Sequence, residues 1–312
     1  MQNREIYATM SKEEKDNKIK NMRILYPRFK RGLNLIERCH RSTANSRDPQ
    51  CLLITGPSGS GKSTIFEAYK KMNDRTVYEE TRTKKVILSA EIPSPTNIMT
   101  FLETLLEELG DSFPTAGSKG NKHRRLVNLI KDCGVELIML DEFQHFVHPH
   151  NKKINYDVSD CFKSIVNQTK VPVVLFGLSE SKHVINCNPQ LKRRFSMVYN
   201  LSPFGYEDEL SMTEFAKLLY NIDQQLPFEE LSGLAQDDML ERFYYATNGL
   251  MDSIMKLVRD AADFVINEGK SKIELMDLAR AYNLHYHLQE GKNKHPFGEE
   301  SFSLGNKVLN VR

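Results

Sequence analysis

The chain has 312 residues, 27% charged and 40% hydrophobic, which suits one large or two smaller globular domains and excludes a disordered or fibrous protein. Lys and Arg number 43 against 41 Asp and Glu, so a net charge of +2 excludes bulk basicity as a means of holding nucleic acid and leaves open a basic face. The 5 cysteines have no CxxC spacing and read as reduced core thiols of a cytoplasmic protein; no apolar run approaches a membrane span, and the polar N-terminus is not a signal peptide.

Residues 1–21 are charged and aperiodic and read as a flexible arm. From Met22 an amphipathic segment follows (Ile24, Leu25, Phe29, Leu33, Leu35, Ile36), interrupted by Pro27. A polar linker, Ser42–Gln50, leads to the apolar run Cys51–Ile54, which reads as a buried strand. Next comes Gly56-Pro57-Ser58-Gly59-Ser60-Gly61-Lys62-Ser63, with Thr64 opening a helix: the phosphate-binding pattern GxxxxGK[ST] in its strand–loop–helix context. The glycines let backbone N–H groups turn inward around an anion, and the helix start adds positive potential. Lys62 is expected on the β- and γ-phosphates of ATP or GTP and the Ser63 hydroxyl on Mg²⁺.

Met72–Lys85 is polar, and Val86–Ala90 reads as the second strand. Ser94-Pro95 looks like a helix start with proline in the first helical position. Ile98, Phe101, Leu102, Leu105, Leu106 and Leu109 then lie on one helical face, closed by Gly110. The basic, glycine-bearing stretch Thr115–Arg125 enters another helix at Leu126; it is either a solvated helix entrance or a DNA contact.

The strand Val135–Leu140 ends in Asp141-Glu142, the Walker B pattern of a P-loop ATPase with an extra strand between the two motifs. Asp141 is expected to hold Mg²⁺ through water and Glu142 to polarise the attacking water, which favours hydrolysis over transfer to a small molecule. His145, His148 and His150 follow, but no Cys or carboxylate spacing completes a zinc pattern. Val158–Val166 reads as a helix and Val171–Gly177 as a buried strand. Ser179 at its carboxyl end is a candidate for the γ-phosphate or attacking water, with helix capping as the other reading. Arg193 and Arg194 precede the short strand Met197–Leu201; they supply an arginine finger or a solvated helix end. Beyond Ser202-Pro203-Phe204 only helical spacing remains, over Leu210–Tyr220, Gln236–Thr247, Leu250–Ile266 and Ile273–Leu284. The predicted organisation is an α/β nucleotide-binding domain over residues 22–204, a small all-helical lid over 205–286, and a flexible tail over 287–312 with one sticky point at Pro296-Phe297.

Several stretches together resemble the TnsC/TniB family, AAA+ ATPase regulators of bacterial DNA transposons. They are Tyr26-Pro27-Arg28, GPSGSGKS, GVELIMLDEFQHF, VPVVLFGLSES, QLKRRFS with LSPF after it, ATNGLMDSIMKLVRDAA and a terminal KHPF. DEFQH and KRRFS look closest to the TnsC proteins of CRISPR-associated transposons. The resemblance implies an AAA+ domain with a central parallel sheet and a helical lid. It implies ATP-dependent assembly on double-stranded DNA, as hexamer- or heptamer-like rings or helical filaments, in the bacterial cytoplasm at the nucleoid. It implies as partners a transposase and a TniQ-like target selector, with or without a CRISPR effector. By position, Lys62, Ser63, Asp141 and Glu142 match the Walker residues and Arg194 the finger. The family's DNA-holding loops map to Pro95-Thr96-Asn97 and Ser118–Arg125, making Thr96, Ser118, Lys119, Lys122 and Arg124 the candidates, through phosphates and so without regard to sequence. One departure stands out: after the glycine of the ATNG turn, Gly249-Leu250-Met251-Asp252-Ser253 carries no sensor arginine, so Lys256 or Arg259 substitutes or the lid reads the γ-phosphate without a cation. A slow hydrolase, acting as a timed switch, is the expectation. The competing readings are a replication or repair loader, a signalling NTPase without DNA, and, disfavoured by Asp141-Glu142 and the long lid, a P-loop kinase.

Overall fold

The computed structural model describes residues 4–42, 49–78, 83–147, 151–236, 238–285, 294–298 and 302. In chain order the first elements are α1 (Lys12–Lys20), α2 (Pro27–Arg41), β1 (Leu52–Thr55), α3 (Lys62–Asn73), β2 (Thr76–Tyr78), β3 (Thr83–Lys85) and β4 (Ile87–Glu91). Then come α4 (Ile98–Glu108), α5 (Lys119–Asp132), β5 (Leu137–Asp141), α6 (Lys152–Thr169), β6 (Val173–Gly177), α7 (Lys182–Asn186), α8 (Pro189–Arg194) and β7 (Met197–Asn200). Four helices follow: α9 (Glu209–Gln225), α10 (Met239–Thr247), α11 (Met251–Glu268) and α12 (Leu275–His285). The chain divides into two compact units, Pro27–Ser202 and a second made of Met1–Tyr26 with Pro203–Arg312.

The first unit is built on a parallel sheet of order β4-β5-β6-β1-β7. β1, β5 and β6 are buried at every position, as continuous apolar runs covered on both faces must be. Register sets Leu53 beside Leu175 and Val198, and Ile138 beside Leu88 and Val173. All the carboxyl ends therefore lie along one edge, where α/β sheets gather their ligands. An aromatic cluster of Phe101, Phe143, Phe146 and Phe162 braces that edge from α4 and α6, with ring centroids 5.0 to 5.9 Å apart. This is the expected α/β class.

Local expectations changed in four places. Pro27 does not interrupt a segment; it is the first residue of α2, where a fixed φ and a missing N–H cost nothing. Pro95 is not the first residue of α4; it follows a cis peptide, and the helix begins at Ile98 because the Asn97 side chain accepts from Met99 N at 2.8 Å and Thr100 N at 3.1 Å. The polar stretch before β4 contains an antiparallel hairpin, β2 with β3. Finally, the arm expected to be flexible is folded: Ser11 and Glu14 form a capping box on α1, and Tyr7 and Ile19 are buried. The Arg4 guanidinium donates to the carbonyls of Gln224, Leu226 and Phe228, satisfying acceptors that the end of α9 would otherwise leave open.

The second unit is helical, as expected, with its core along α11 (Ile254, Leu257, Val258, Ala261, Val265). Phe204 donates its N–H to Gly249 O at 2.9 Å and stacks on Phe215, so the LSPF and ATNG stretches meet. The sticky point of the tail is a docked one. Phe297 packs against Phe243 and Tyr282, and buried Arg242 donates to Pro296 O at 2.5 Å. Lys256 pairs with Asp252 at 2.8 Å on the surface of α11.

Candidate functional site

The glycine loop links the carboxyl end of β1 to the start of α3. Gly61 is left-handed, with φ 99°, a conformation that turns the following N–H groups into the loop at no steric cost only for glycine. Gly56 is needed for close approach, since a Cβ there would lie 2.4 Å from Leu201 O. Lys62 is buried, and its ammonium donates to Gly56 O and Pro57 O, both at 2.9 Å. Burial pulls its pKa below the ordinary lysine value, and the carboxylates of Asp141 and Glu142 oppose that pull. The Ser60 hydroxyl is buried in the loop with no hydrogen-bond partner among the described residues.

β5 delivers the acids. Asp141 is buried at the strand's last position, and its Oδ1 accepts from Glu142 N at 2.8 Å. Glu142 is left-handed, with φ 59°, and begins a 3-10 turn over Phe143–Phe146 that is anchored by the aromatic cluster. A non-glycine residue there carries strain, the kind that recurs at functional sites. An open cleft of 320 Å³ runs between these elements, lined by Ser63, Glu67, Lys70, Ser89, Glu91, Asp141 and Glu142 among others. The structure thus brings together four residues expected to act together: Lys62, Ser63, Asp141 and Glu142. The Ser63 hydroxyl and Asp141 carboxylate are the hard oxygen donors that suit Mg²⁺, which completes its shell with phosphates and water. No group of three or more His, Cys, Asp or Glu among the described residues could hold a metal unaided. His145 Nε2 stands 3.6 Å from Glu142 Oε2; His148 and His150 lie outside the described residues.

Ser179 is exposed in a short 3-10 turn just past the carboxyl end of β6, on the same edge as the glycine loop. Arg194 is elsewhere: it ends α8, and its carbonyl accepts from Cys51 N at 2.9 Å, at the amino end of β1. Arg193 beside it is exposed. The loop candidates for DNA divide. Lys119 and Arg124 are exposed, Thr96 is half-buried, and Ser118 caps α5 by accepting from Asn121 N. Lys122 is a correction: it is 1% exposed, and its ammonium donates to the Glu103 carboxylate and Thr115 O, so it does not face the solvent from which a phosphate would approach. Sequence reasoning also passed over Gln144, whose side chain bonds both Glu142 and the backbone after β6; DEFQH contained it, but nothing in the spacing marked it. The five cysteines are free, and burial raises the thiols of Cys51 and Cys161 to about 12.

The described region from α2 through β7 falls within a family match. Among solved structures, Cdc6p from Pyrobaculum aerophilum is similar with a TM-score of 0.60 at 14% identity, covering 85% of this chain and 70% of that one. The Aeropyrum pernix Orc1 protein in complex with DNA gives 0.54 at 15% identity, covering 84% and 66%. Drosophila ORC bound to DNA gives 0.55 at 12%, covering 88% and 66%. This chain therefore spans about two thirds of the length of these structures, and the likeness establishes the AAA+ fold. A search of curated proteins finds no match. The family described as Bacterial TniB protein matches residues 17–204, more than half of the chain and the whole of the glycine loop, the Walker B strand and the Arg194 helix, and the chain belongs to that family.

Proposed function

We propose that this chain is an ATP-dependent regulator of DNA transposition that assembles on duplex DNA and links target selection to a transposase, with hydrolysis releasing the assembly. The observation that carries the nucleotide half is the convergence of Ser63, Asp141 and Glu142 on one cleft of a TniB-family chain, with the buried Lys62 ammonium of the glycine loop in the field of both carboxylates. In this reading Lys62 and the loop N–H groups hold the phosphates, and Ser63 and Asp141 hold Mg²⁺, which when bound neutralises phosphate charge. Glu142 orients and polarises the attacking water, with Ser179 on the adjoining strand end as a second hydroxyl at the γ-phosphate. Lys119 and Arg124 contact DNA phosphates, with Thr96 and Ser118 from the neighbouring loops.

A second reading is a loader or initiator in replication or repair. Two of the structural neighbours favour it, since Orc1 is in complex with DNA and Drosophila ORC is bound to DNA. Both readings predict salt-sensitive duplex binding that requires ATP, whereas a signalling NTPase predicts none. Anisotropy of a labelled duplex with ATP, ADP or no nucleotide, followed by electron microscopy of the bound fraction, tests this. ATP-specific binding with rings or filaments is expected. Nucleotide binding without DNA affinity in any state would sink both DNA readings. Co-assembly with a transposase then separates the first reading from the second.

A further inference from the structure

The Walker B acid is not held by its own strand alone. Gln144 Nε2 donates to Glu142 Oε2, while Gln144 Oε1 accepts from Leu178 N at 3.1 Å. The amide orientation follows from chemistry: reversed, its carbonyl would face a carboxylate and its NH₂ another N–H. One side chain therefore spans two strand ends, from the acid after β5 to the backbone immediately before Ser179 after β6. The surroundings are shaped to it. Gly177 makes room for it: a Cβ there would lie 2.9 Å from Gln144 Oε1 and 2.4 Å from Ser181 Oγ, so both side-chain ends would have to shift. Phe143 and Phe146, on either side of Gln144-His145, are 0% and 1% exposed and fix the turn that carries the amide. Both described neighbours of the Glu142 carboxylate, Gln144 and His145, approach Oε2, and no donor among the described residues meets Oε1. That leaves Oε1 as the acceptor for a water.

We propose that Gln144 is a positioning residue for hydrolysis: it fixes the Glu142 carboxylate with Oε1 directed to water, and it ties that carboxylate to the strand end bearing Ser179. The inference rests on the ATPase reading above. Holding a base within a fraction of an ångström of its working position matters because small misplacements cost large factors in rate. Since the Gln144 amide spends its hydrogen bonds on Glu142 and Leu178 and the side chain does not line the cleft, its loss acts on turnover and spares nucleotide binding.

The test uses the full chain with duplex DNA, comparing Gln144→Met with wild type for kcat, KM, affinity for a fluorescent ATP analogue and thermal unfolding. A fall in kcat of about 10- to 100-fold with analogue affinity within about twofold is expected. Gly177→Ala, which keeps Gln144 but displaces its carbonyl, is expected to lower kcat in the same way, and the double variant to be no slower than the worse single one. It also carries the test should Gln144→Met fail to fold. Wild-type turnover in either soluble variant, or a matching loss of analogue affinity and kcat, would overturn the proposal. A wild-type chain that binds ATP and never hydrolyses it would overturn the ATPase reading, and this proposal with it.

Discussion

Lys62 shows at the scale of one residue what the glycine loop costs and what it prepares. Its ammonium is buried against two carbonyls of its own loop, and desolvation lowers its pKa. The sign of the linkage follows. Between the lowered folded pKa and the unfolded value of 10.5, the unfolded chain binds more protons, so stability rises with pH across that window. At neutral pH the charged Lys62 is therefore a stability cost, which a bound phosphate offsets. Lys62→Met is expected to unfold within about 1 kcal/mol of wild type when no nucleotide is present, the lost hydrogen bonds and the relieved desolvation opposing each other. It is also expected to lose the stabilisation that ATP gives wild type, about 2.7 kcal/mol at a hundredfold excess over Kd. Thermal unfolding with and without ATP measures both. An ATP-dependent rise that survives in Lys62→Met would show that the phosphates are held elsewhere.

At the scale of elements, α5 separates charges that look alike in the sequence. Lys119 and Arg124 face solvent, whereas Lys122 lies at the i−4 position to buried Leu126 and so falls on the packed face, reaching Glu103 on α4. Lys122→Met is expected to destabilise the chain by about 1–3 kcal/mol, because it strands Glu103, which keeps partial contact with water. Lys119→Ala with Arg124→Ala is expected to leave stability alone and to reduce the salt slope of DNA binding by about 2, one for each phosphate lost. Denaturant titration and salt-dependent anisotropy separate the two outcomes; an unaltered slope would make Lys119 and Arg124 a solvated face. The same contrast explains what was legible. β1, β5 and β6 announce themselves as apolar runs, and the glycine loop and Asp141-Glu142 are fixed by chemistry that tolerates few substitutes. The hairpin of β2 and β3 has no alternation to betray it, and α1 buries Ile19 alone along its length, too little for a periodic signal. Lys122 escaped because its partner is on another helix, and Gln144 because its two partners lie on different strands.

For the whole molecule, the direction of the sheet decides what one chain can do alone. The glycine loop leaves the carboxyl end of β1, while Arg194 is bonded through its carbonyl to Cys51 at the amino end of the same strand. Five residues of extended backbone separate the two ends by about 16 Å, which is longer than an arginine side chain. An Arg194 finger therefore requires a second copy whose amino edge faces the first copy's phosphates, and turnover becomes a property of the assembly. Arg194→Ala is expected to bind ATP normally as a monomer and to lose about 10³-fold or more in turnover on DNA. Glu142→Gln is expected to bind ATP, assemble and stall. Neither variant is expected to be active alone, yet an assembly of both would contain interfaces at which the Arg194→Ala copy supplies an intact Glu142 and the Glu142→Gln copy supplies an intact Arg194. Mixing them on duplex DNA is expected to restore part of the wild-type rate, and ATPase assays across mixing ratios measure it. A mixture as inactive as its components would remove Arg194 as a finger acting between subunits, leaving exposed Arg193 on the same helix end as the residue to exchange next.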